Sequence, residues 1–152
     1  MQTLLGEIMR VIDKIIYHCS ATRASQDIGA AEIRRWHVEG NKWQDIGYHY
    51  VIRLNGEIEP GRPLEKAGAH CTGYNERSIG ICLVGGGPMG EDNCFTKAQF
   101  DSLALLTKFL RLRFPNATIH GHKEFANKAC PVFNVQQFLN DYGIEKLPKK
   151  GK

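Results

Sequence analysis

The side chains of this chain best suited to binding a metal ion are those of its six histidines and five cysteines. His18 ends a run typical of a buried strand, and His122 and Cys130 follow another such run, eight positions apart. Ligands at i and i+4 of a helix would share a face, whereas a separation of eight does not place them together. The fold would therefore have to assemble any metal site. Spacing alone leaves open that His18 fills a core position and that Cys130 is an inert buried thiol.

Other polar side chains near these three have more than one interpretation. In a strand, His120 and His122 would share a face, which makes His120 a rival ligand. Glu124 could orient a metal-bound imidazole or be exposed. His37 lies beside Trp36 on an apolar helix face, and we expect it to be a core histidine with satisfied hydrogen bonds.

The five cysteines are odd in number, and no two of them are closely spaced in the sequence, so their pattern is not that of a disulfide framework. We therefore expect free thiols, at least one of which could be a metal ligand. Cys82 lies in a strand pattern and is expected in the core, and Cys19 would point to the sheet face opposite His18. Cys71 and Cys94 lie in predicted loops, and the sequence assigns them no role.

The hydrophobic pattern predicts strands that alternate with helices. Asn55-Gly56 is a strong hairpin-turn signal between two of the strands, and Gly40 ends the first helix. The predicted strands are Lys14–Cys19 and residues 48–54, 57–59, 78–84 and 118–120, and the predicted helices are residues 30–39, residues 97–114 and Val135–Tyr142. The alternation favours an α/β fold, a single domain with a central mixed β-sheet flanked by helices.

The longest predicted helix, over residues 97–114, has recognisable ends. Thr96 is suited to the N-cap, and Gln99 three residues later completes a capping-box pattern. Pro115 stops the helix. Two apolar stripes follow its length: Leu103, Leu106 and Leu110, and then Leu105, Phe109 and Leu112. Stripes of this combined width predict a helix packed against a sheet.

The composition is typical of one globular domain. The 152 residues are 42% hydrophobic and 24% charged, and the net charge is +4. No run approaches the roughly 20 apolar residues that cross a membrane. Charged residues interrupt the N-terminal segment too often for a signal peptide, so we expect cytoplasmic synthesis. No basic stripe interleaved with aromatic residues indicates specific nucleic-acid binding.

The two ends of the chain are expected to lie outside the folded unit. We predict one domain over residues 9–144, preceded by an extension or alternative start. A basic tail over residues 145–152 contains four lysines: Lys146, Lys149, Lys150 and Lys152. The tail could be frayed and solvated, or it could attract the chain to an anionic surface such as a bacterial envelope.

Eight short motifs follow one another in a fixed order within residues 12–140. They are His18-Cys19-Ser20-Ala21-Thr22, Arg35-Trp36-His37, Gly47-Tyr48-His49-Tyr50, Gly68-Ala69-His70, Gly73-Tyr74-Asn75, Ser78-Ile79-Gly80-Ile81, Gly121-His122-Lys123-Glu124 and Lys128-Ala129-Cys130-Pro131. In this order they resemble the type 2 N-acetylmuramoyl-L-alanine amidases, most closely the short single-domain lytic amidases (endolysins) of tailed phages. Animal peptidoglycan recognition proteins share that fold.

The resemblance implies a catalytic zinc site with one Zn²⁺ per chain. His18, His122 and Cys130 match the family's three zinc ligands, which leave a fourth tetrahedral position for water. Tyr48 and Lys128 match the family's catalytic tyrosine and lysine. The phenol would hydrogen-bond the attacking water, and the cation would stabilise the oxyanion. Without the resemblance, an aromatic core residue and an exposed loop lysine would be the simpler interpretations.

The same resemblance places His70 and Asn75 at the border of the peptide-binding groove. There they would contact substrate or shape the loop through hydrogen bonds. The implied activity is hydrolysis of the amide between N-acetylmuramic acid and L-alanine of peptidoglycan, by a monomer that lyses the bacterial cell after release from the cytoplasm. The alternatives are a peptidoglycan receptor without catalysis and a lytic amidase that also inhibits an RNA polymerase. Non-catalytic receptors of this family typically lack the cysteine ligand, which this sequence keeps.

Overall fold

A computed structural model describes residues 10–87 and 95–148 of the chain. Strands and helices alternate along these residues, as the hydrophobic pattern predicts. The strands are β1 (Lys14–Cys19), β2 (Tyr50–Ile52), β3 (Ile58–Pro60), β4 (Ser78–Leu83) and β5 (Thr118–Gly121), and the α-helices are α1 (Ala30–Arg35), α2 (Lys97–Arg113) and α3 (Val135–Tyr142). A π-helical turn (Trp36–Gly40) follows α1, and 3-10 turns occupy Asn75–Arg77 and His122–Glu124. No helix in the described ranges is both long and apolar enough to cross a membrane.

The five strands form one mixed sheet in the order β3-β2-β4-β1-β5. Strand β1 is parallel to both of its neighbours, β4 and β5, and β2 is parallel to β4. Only the pair β2 and β3 is antiparallel, and the Asn55-Gly56 turn connects it, with Gly56 at a φ of 92°. These strands and their flanking helices confirm the predicted α/β fold with a central mixed sheet.

Helices cover both faces of the sheet. On one face, α2 and α3 bury their apolar residues against alternate side chains of β1 and β4, including Tyr17 and Ile81. On the other face, Ile33 of α1 packs in a smaller cluster with Val51 and Cys82. His18 follows Tyr17 in β1 and so points to the face of this smaller cluster, because successive side chains of a strand alternate.

Helix α2 begins as predicted, but only one of its two apolar stripes is buried. The Thr96 hydroxyl accepts a hydrogen bond from the Gln99 N–H, which confirms the N-cap. Leu103, Leu106 and Leu110 are buried in the core, whereas the second stripe is between 60% and 84% exposed and comprises Leu105, Phe109 and Leu112. At about 100° per residue the centres of the two stripes are separated by about 125° around the helix. The helix packs against the sheet as predicted, but only through the first of the two stripes.

The first helix also departs from the prediction. Residues 30–39 were expected to form one α-helix with Ile33, Trp36 and His37 on its buried face. The α-helix ends at Arg35, and the chain continues in a π-helical turn in which the Asn41 N–H donates to the Trp36 carbonyl. This i→i+5 bond changes the angular spacing of side chains. Ile33 is therefore buried, while Trp36 is 41% exposed.

Candidate metal centre and cleft

Parallel pairing of β1 and β5 brings two histidines together at the carboxyl ends of these two strands. Tyr17 lies opposite Gly121 in this pair, so continuing the register by one residue places His18 beside His122. The two imidazole rings are 4.5 Å apart. The carboxyl ends of parallel strands are a common position for functional groups in α/β proteins. Here the ends of two neighbouring strands carry two imidazoles that are about a hundred positions apart in the chain.

The Cys130 thiol completes a cluster of three metal-binding side chains. One donor atom from each of His18, His122 and Cys130 lies within 4.8 Å of the others. Tetrahedral zinc with ligand bonds of about 2.0–2.3 Å has donors roughly 3–4 Å apart, so small side-chain adjustments suffice. Two nitrogens and one sulfur are a donor set that zinc accepts. The described residues thus fit a zinc ion, and the fold brings together the three side chains that the resemblance implies.

The environment of the two imidazoles favours their neutral form. Burial lowers the pKa of His18 well below the usual value, and the nearby His70 and His122 lower it further. Burial also lowers the pKa of His122, with a contribution from the charge of Lys128. A neutral imidazole has a free lone pair, so both side chains are in the protonation state that binds a metal at neutral pH.

The cysteine is held by its neighbour in β1. The Cys130 sulfur accepts a hydrogen bond from the Cys19 backbone N–H at 3.1 Å. Its contact with the Cys19 thiol and its burial raise the pKa of Cys130 well above the usual value. A coordinated divalent cation has the opposite effect and deprotonates a thiol outright. The backbone N–H of Cys19 is already placed to stabilise the resulting thiolate.

His120, the rival ligand, lies outside the cluster. Its Nδ1 is 2.8 Å from a carboxylate oxygen of Glu124, and its Nε2 is 2.6 Å from the Thr118 hydroxyl. The second Glu124 oxygen accepts hydrogen bonds from the Gly121 N–H and from the Lys146 ammonium. Glu124 therefore braces the turn that carries the ligand His122. Of the other tail lysines, Lys149, Lys150 and Lys152 lie outside the described residues.

A cleft of about 360 Å³ opens beside the three candidate ligands. Its walls contain every other side chain for which the resemblance implies a role. These are Tyr48, His70, Asn75 and Lys128, and His122 also lines the cleft. The candidate ligand His122, the two candidate catalytic side chains and the two candidate substrate contacts therefore share one cavity.

Tyr48 lies directly beside a candidate ligand. Its ring centroid is 5.1 Å from that of His18. Burial raises the pKa of Tyr48 well above the usual value, and the neighbouring Cys82 thiol adds to this shift. The phenol therefore keeps its proton at neutral pH and can donate a hydrogen bond. His49, expected to point away from Tyr48, bonds to the backbone of Gly80 and Lys66.

His70 and Asn75 both have structural contacts at the cleft wall. The Asn75 side-chain oxygen accepts hydrogen bonds from the backbone N–H groups of His70 and Cys71. The His70 ring is buried and bonds to two other side chains, His18 and Ser78. The loop-shaping interpretation of Asn75 therefore has direct support. Cys71, to which the sequence assigns no role, is buried at the same wall, and Cys94 lies outside the described residues.

The cleft also contains aromatic side chains that sequence reasoning did not place there. His37 and Trp43 line it, with their rings 4.7 Å apart, and His37 Nδ1 accepts the Gly47 N–H. His37 was expected in the core, with its hydrogen bonds satisfied. The π-helical turn carries it to the cleft wall instead. Its place in the Arg35-Trp36-His37 motif was the one sequence signal that could have indicated this position.

Comparisons with known proteins agree with this geometry. The profile of the N-acetylmuramoyl-L-alanine amidase family matches residues 9–133. The endolysin of Escherichia phage T7 is 45% identical over 128 residues, which cover 83% of this chain and 84% of that protein.

Solved structures give the same result. N-acetylmuramoyl-L-alanine amidase LysC from Clostridium intestinale URNW superposes with a TM-score of 0.77 at 28% identity, covering 88% of this chain and 87% of that one. Drosophila PGRP-LB superposes with a TM-score of 0.76 at 22% identity, covering 94% and 88% of the two chains, and so shares the fold. With its matching profile, its phage relatives and this common architecture, the chain belongs to the type 2 N-acetylmuramoyl-L-alanine amidase family.

Proposed function

We propose that this chain is a zinc-dependent endolysin that hydrolyses the amide between N-acetylmuramic acid and L-alanine in peptidoglycan. The observation that carries the proposal is the cluster of His18, His122 and Cys130, whose donor atoms lie within 4.8 Å of one another beside an open cleft. Membership of the amidase family supplies the reaction class. The similarity to the phage T7 endolysin supports a lytic role against the bacterial wall.

The residues around the cluster have distinct tasks in this reaction. A bound zinc ion supplies Lewis acidity, which polarises a carbonyl and lowers the pKa of water. Lys128, at the cleft wall beside His122, places a positive charge where the amide oxygen becomes an oxyanion. Tyr48 keeps its phenolic proton at the cleft wall, and its hydroxyl would donate a hydrogen bond to the attacking water. The stem peptide would lie along the remaining cleft wall, against Trp43 and Phe125.

Purified protein incubated with cell walls tests the proposal. We expect turbidity to fall and new N-terminal alanine to appear, and we expect both to require zinc. His18→Ala should abolish zinc binding and cleavage together. Lys128→Ala should retain one zinc per chain and lower the rate on the order of 10²–10³-fold, because an oxyanion donor is lost.

Lys123→Ala is the matched control for Lys128→Ala. Lys123 is an exposed lysine of the same segment, its backbone N–H bonds to Cys130, and its side chain is not part of the cleft wall. Its replacement should leave the rate unchanged. Zinc-loaded wild-type protein that releases no alanine would refute the amidase proposal. Wall binding without cleavage would support the receptor interpretation, against which the retained Tyr48, Lys128 and Cys130 argue.

A further inference from the structure

One ring nitrogen of His18 is already engaged by another histidine. His18 Nε2 lies 2.8 Å from His70 Nδ1, and both side chains are buried. The two rings are nearly perpendicular, with centroids 4.8 Å apart. The nitrogen of His18 that remains for a metal is therefore Nδ1. A neutral imidazole with a metal on one nitrogen has its proton on the other, so His18 Nε2 must donate and His70 Nδ1 must accept.

The hydrogen bonds continue beyond His70 into the sheet. If His70 Nδ1 accepts, the proton of its neutral ring is on Nε2. That nitrogen is 3.2 Å from the hydroxyl oxygen of Ser78, the fully buried first residue of β4. His70 can therefore donate to Ser78 while it accepts from His18. With a metal on His18 Nδ1, this chain of two hydrogen bonds is consistent with only one tautomer of each ring.

The backbone is shaped around the His70 ring. A Cβ atom at Gly80 would lie 2.6 Å from His70 Cγ, and one at Gly68 would lie 2.8 Å from His70 Cδ2. Both distances are shorter than any ordinary contact, so the ring occupies space that only glycine leaves free. The Asn75 side chain accepts the backbone N–H of His70 and fixes the other side of the residue. The imidazole is thus enclosed on several sides.

We propose that His70 is a positioning residue: it accepts the His18 Nε2–H and thereby holds His18 Nδ1 toward His122 and Cys130. This inference rests on the proposed zinc function and adds to it a tautomer and a named ligand atom. It also gives His70 a role other than substrate contact. Both of its ring nitrogens are occupied, and the residue is only 7% exposed.

Zinc affinity measured by competition with a chromophoric chelator tests the role of His70. His70→Leu replaces the hydrogen-bond acceptor by an apolar side chain. It should weaken zinc binding about 10–100-fold, the usual effect of losing such a partner. His70→Asn has an amide oxygen near the position of Nδ1 and should recover most of this affinity. A purely space-filling role predicts instead that leucine and asparagine have the same effect.

His49→Asn is the matched control. His49 is as deeply buried as His70 and lies beside it, but its ring nitrogens contact the backbone of Gly80 and Lys66 and the guanidinium of Arg10. Its replacement should lower the thermal stability and leave the zinc affinity unchanged. An equal loss of zinc affinity in His49→Asn and His70→Leu would mean that general destabilisation is the cause, which would overturn the proposal.

Nitrogen-15 NMR of the wild-type holoprotein gives a second readout that needs no variant. Two-bond proton–nitrogen correlations report which ring nitrogen carries the proton, and we expect a protonated Nε2 on both His18 and His70. A proton on Nδ1 of His18 would overturn the assignment. If wild-type protein bound no zinc, the proposed function would fail together with this inference. If it bound zinc and cut cell walls, and His70→Leu did the same with unchanged affinity, only the positioning role would fail.

Discussion

Acidification should destabilise the metal-free protein through a buried histidine outside the metal cluster. His49 is 1% exposed, and burial lowers its pKa to about 4, with smaller contributions from the charges of Arg10 and Arg62. Its Nδ1 accepts the Gly80 N–H, which is possible only while that nitrogen is unprotonated. Folding therefore requires the neutral ring.

The sign and size of the effect follow from proton linkage. Histidine in an unfolded chain has a pKa of about 6.5. Between that value and the folded pKa of about 4, the unfolded state binds more protons. The stabilisation by neutral His49 is complete above about pH 6.5 and is lost as the pH falls toward 4. At about pH 5 the loss is roughly 1.5 pH units at 1.36 kcal/mol each, or about 2 kcal/mol.

Urea unfolding of metal-free protein at about pH 7.5 and about pH 5 measures this loss. His49→Asn cannot titrate in this range and should lose about 2 kcal/mol less than wild type over the same change of pH. Its lower stability at pH 7.5 provides the baseline, since the Lys66 carbonyl loses its hydrogen bond from His49 Nε2. The other histidines are present in both proteins. The charge of His49 is among the causes that lower the pKa of the neighbouring His70, so the difference between the two proteins measures the loss of His49 together with its effect on His70. Parallel pH dependence in the two proteins would refute the assignment of acid sensitivity to His49.

Two further predictions concern a tightly enclosed glycine and a helix cap. Gly80→Ala should lower the free energy of unfolding by about 1–3 kcal/mol, because its Cβ would meet the enclosed His70 ring. The control Gly40→Ala adds a Cβ where nothing lies within 4 Å, so it should not lower the free energy of unfolding in this way. Equal effects in the two variants would argue against a tight fit around the His70 ring. Thr96→Ala should cost about 1 kcal/mol, since it removes the N-cap of α2. Thermal unfolding monitored by circular dichroism measures all three, and an unchanged Thr96→Ala midpoint would contradict the capping role.

The elements that the sequence predicted best are those with local signals at both ends. Strand β1 and helix α3 agree with the prediction residue for residue. In α3, the Asn134 side chain accepts the Gln137 N–H, and Gly143 has the left-handed conformation that ends a helix. Such signals depend on neighbouring residues alone, so they can be recognised without knowledge of the tertiary structure.

The metal cluster could not be predicted from spacing. Its three side chains come from separate segments, and only the pairing of β1 with β5 brings His18 to His122. The motifs and their resemblance to a known family supplied what periodicity could not. The position of His37 was missed for a different reason. A π-helical turn differs from an α-helix by one residue per turn, and the hydrophobic pattern contains no signal for that change.

The position of β1 between β4 and β5 explains why one strand can both supply a ligand and orient it. On one side, β5 leads directly into the turn that carries His122. On the other side, Gly80 of β4 pairs with Ile16, which lies two residues before His18 and points to the same face of the sheet. Gly80 leaves space for the His70 ring, so that ring lies next to His18. A shift of either pairing by one residue would turn these side chains to the opposite face. The strand order therefore brings the proposed ligand His18 close both to His122 and to the ring of His70.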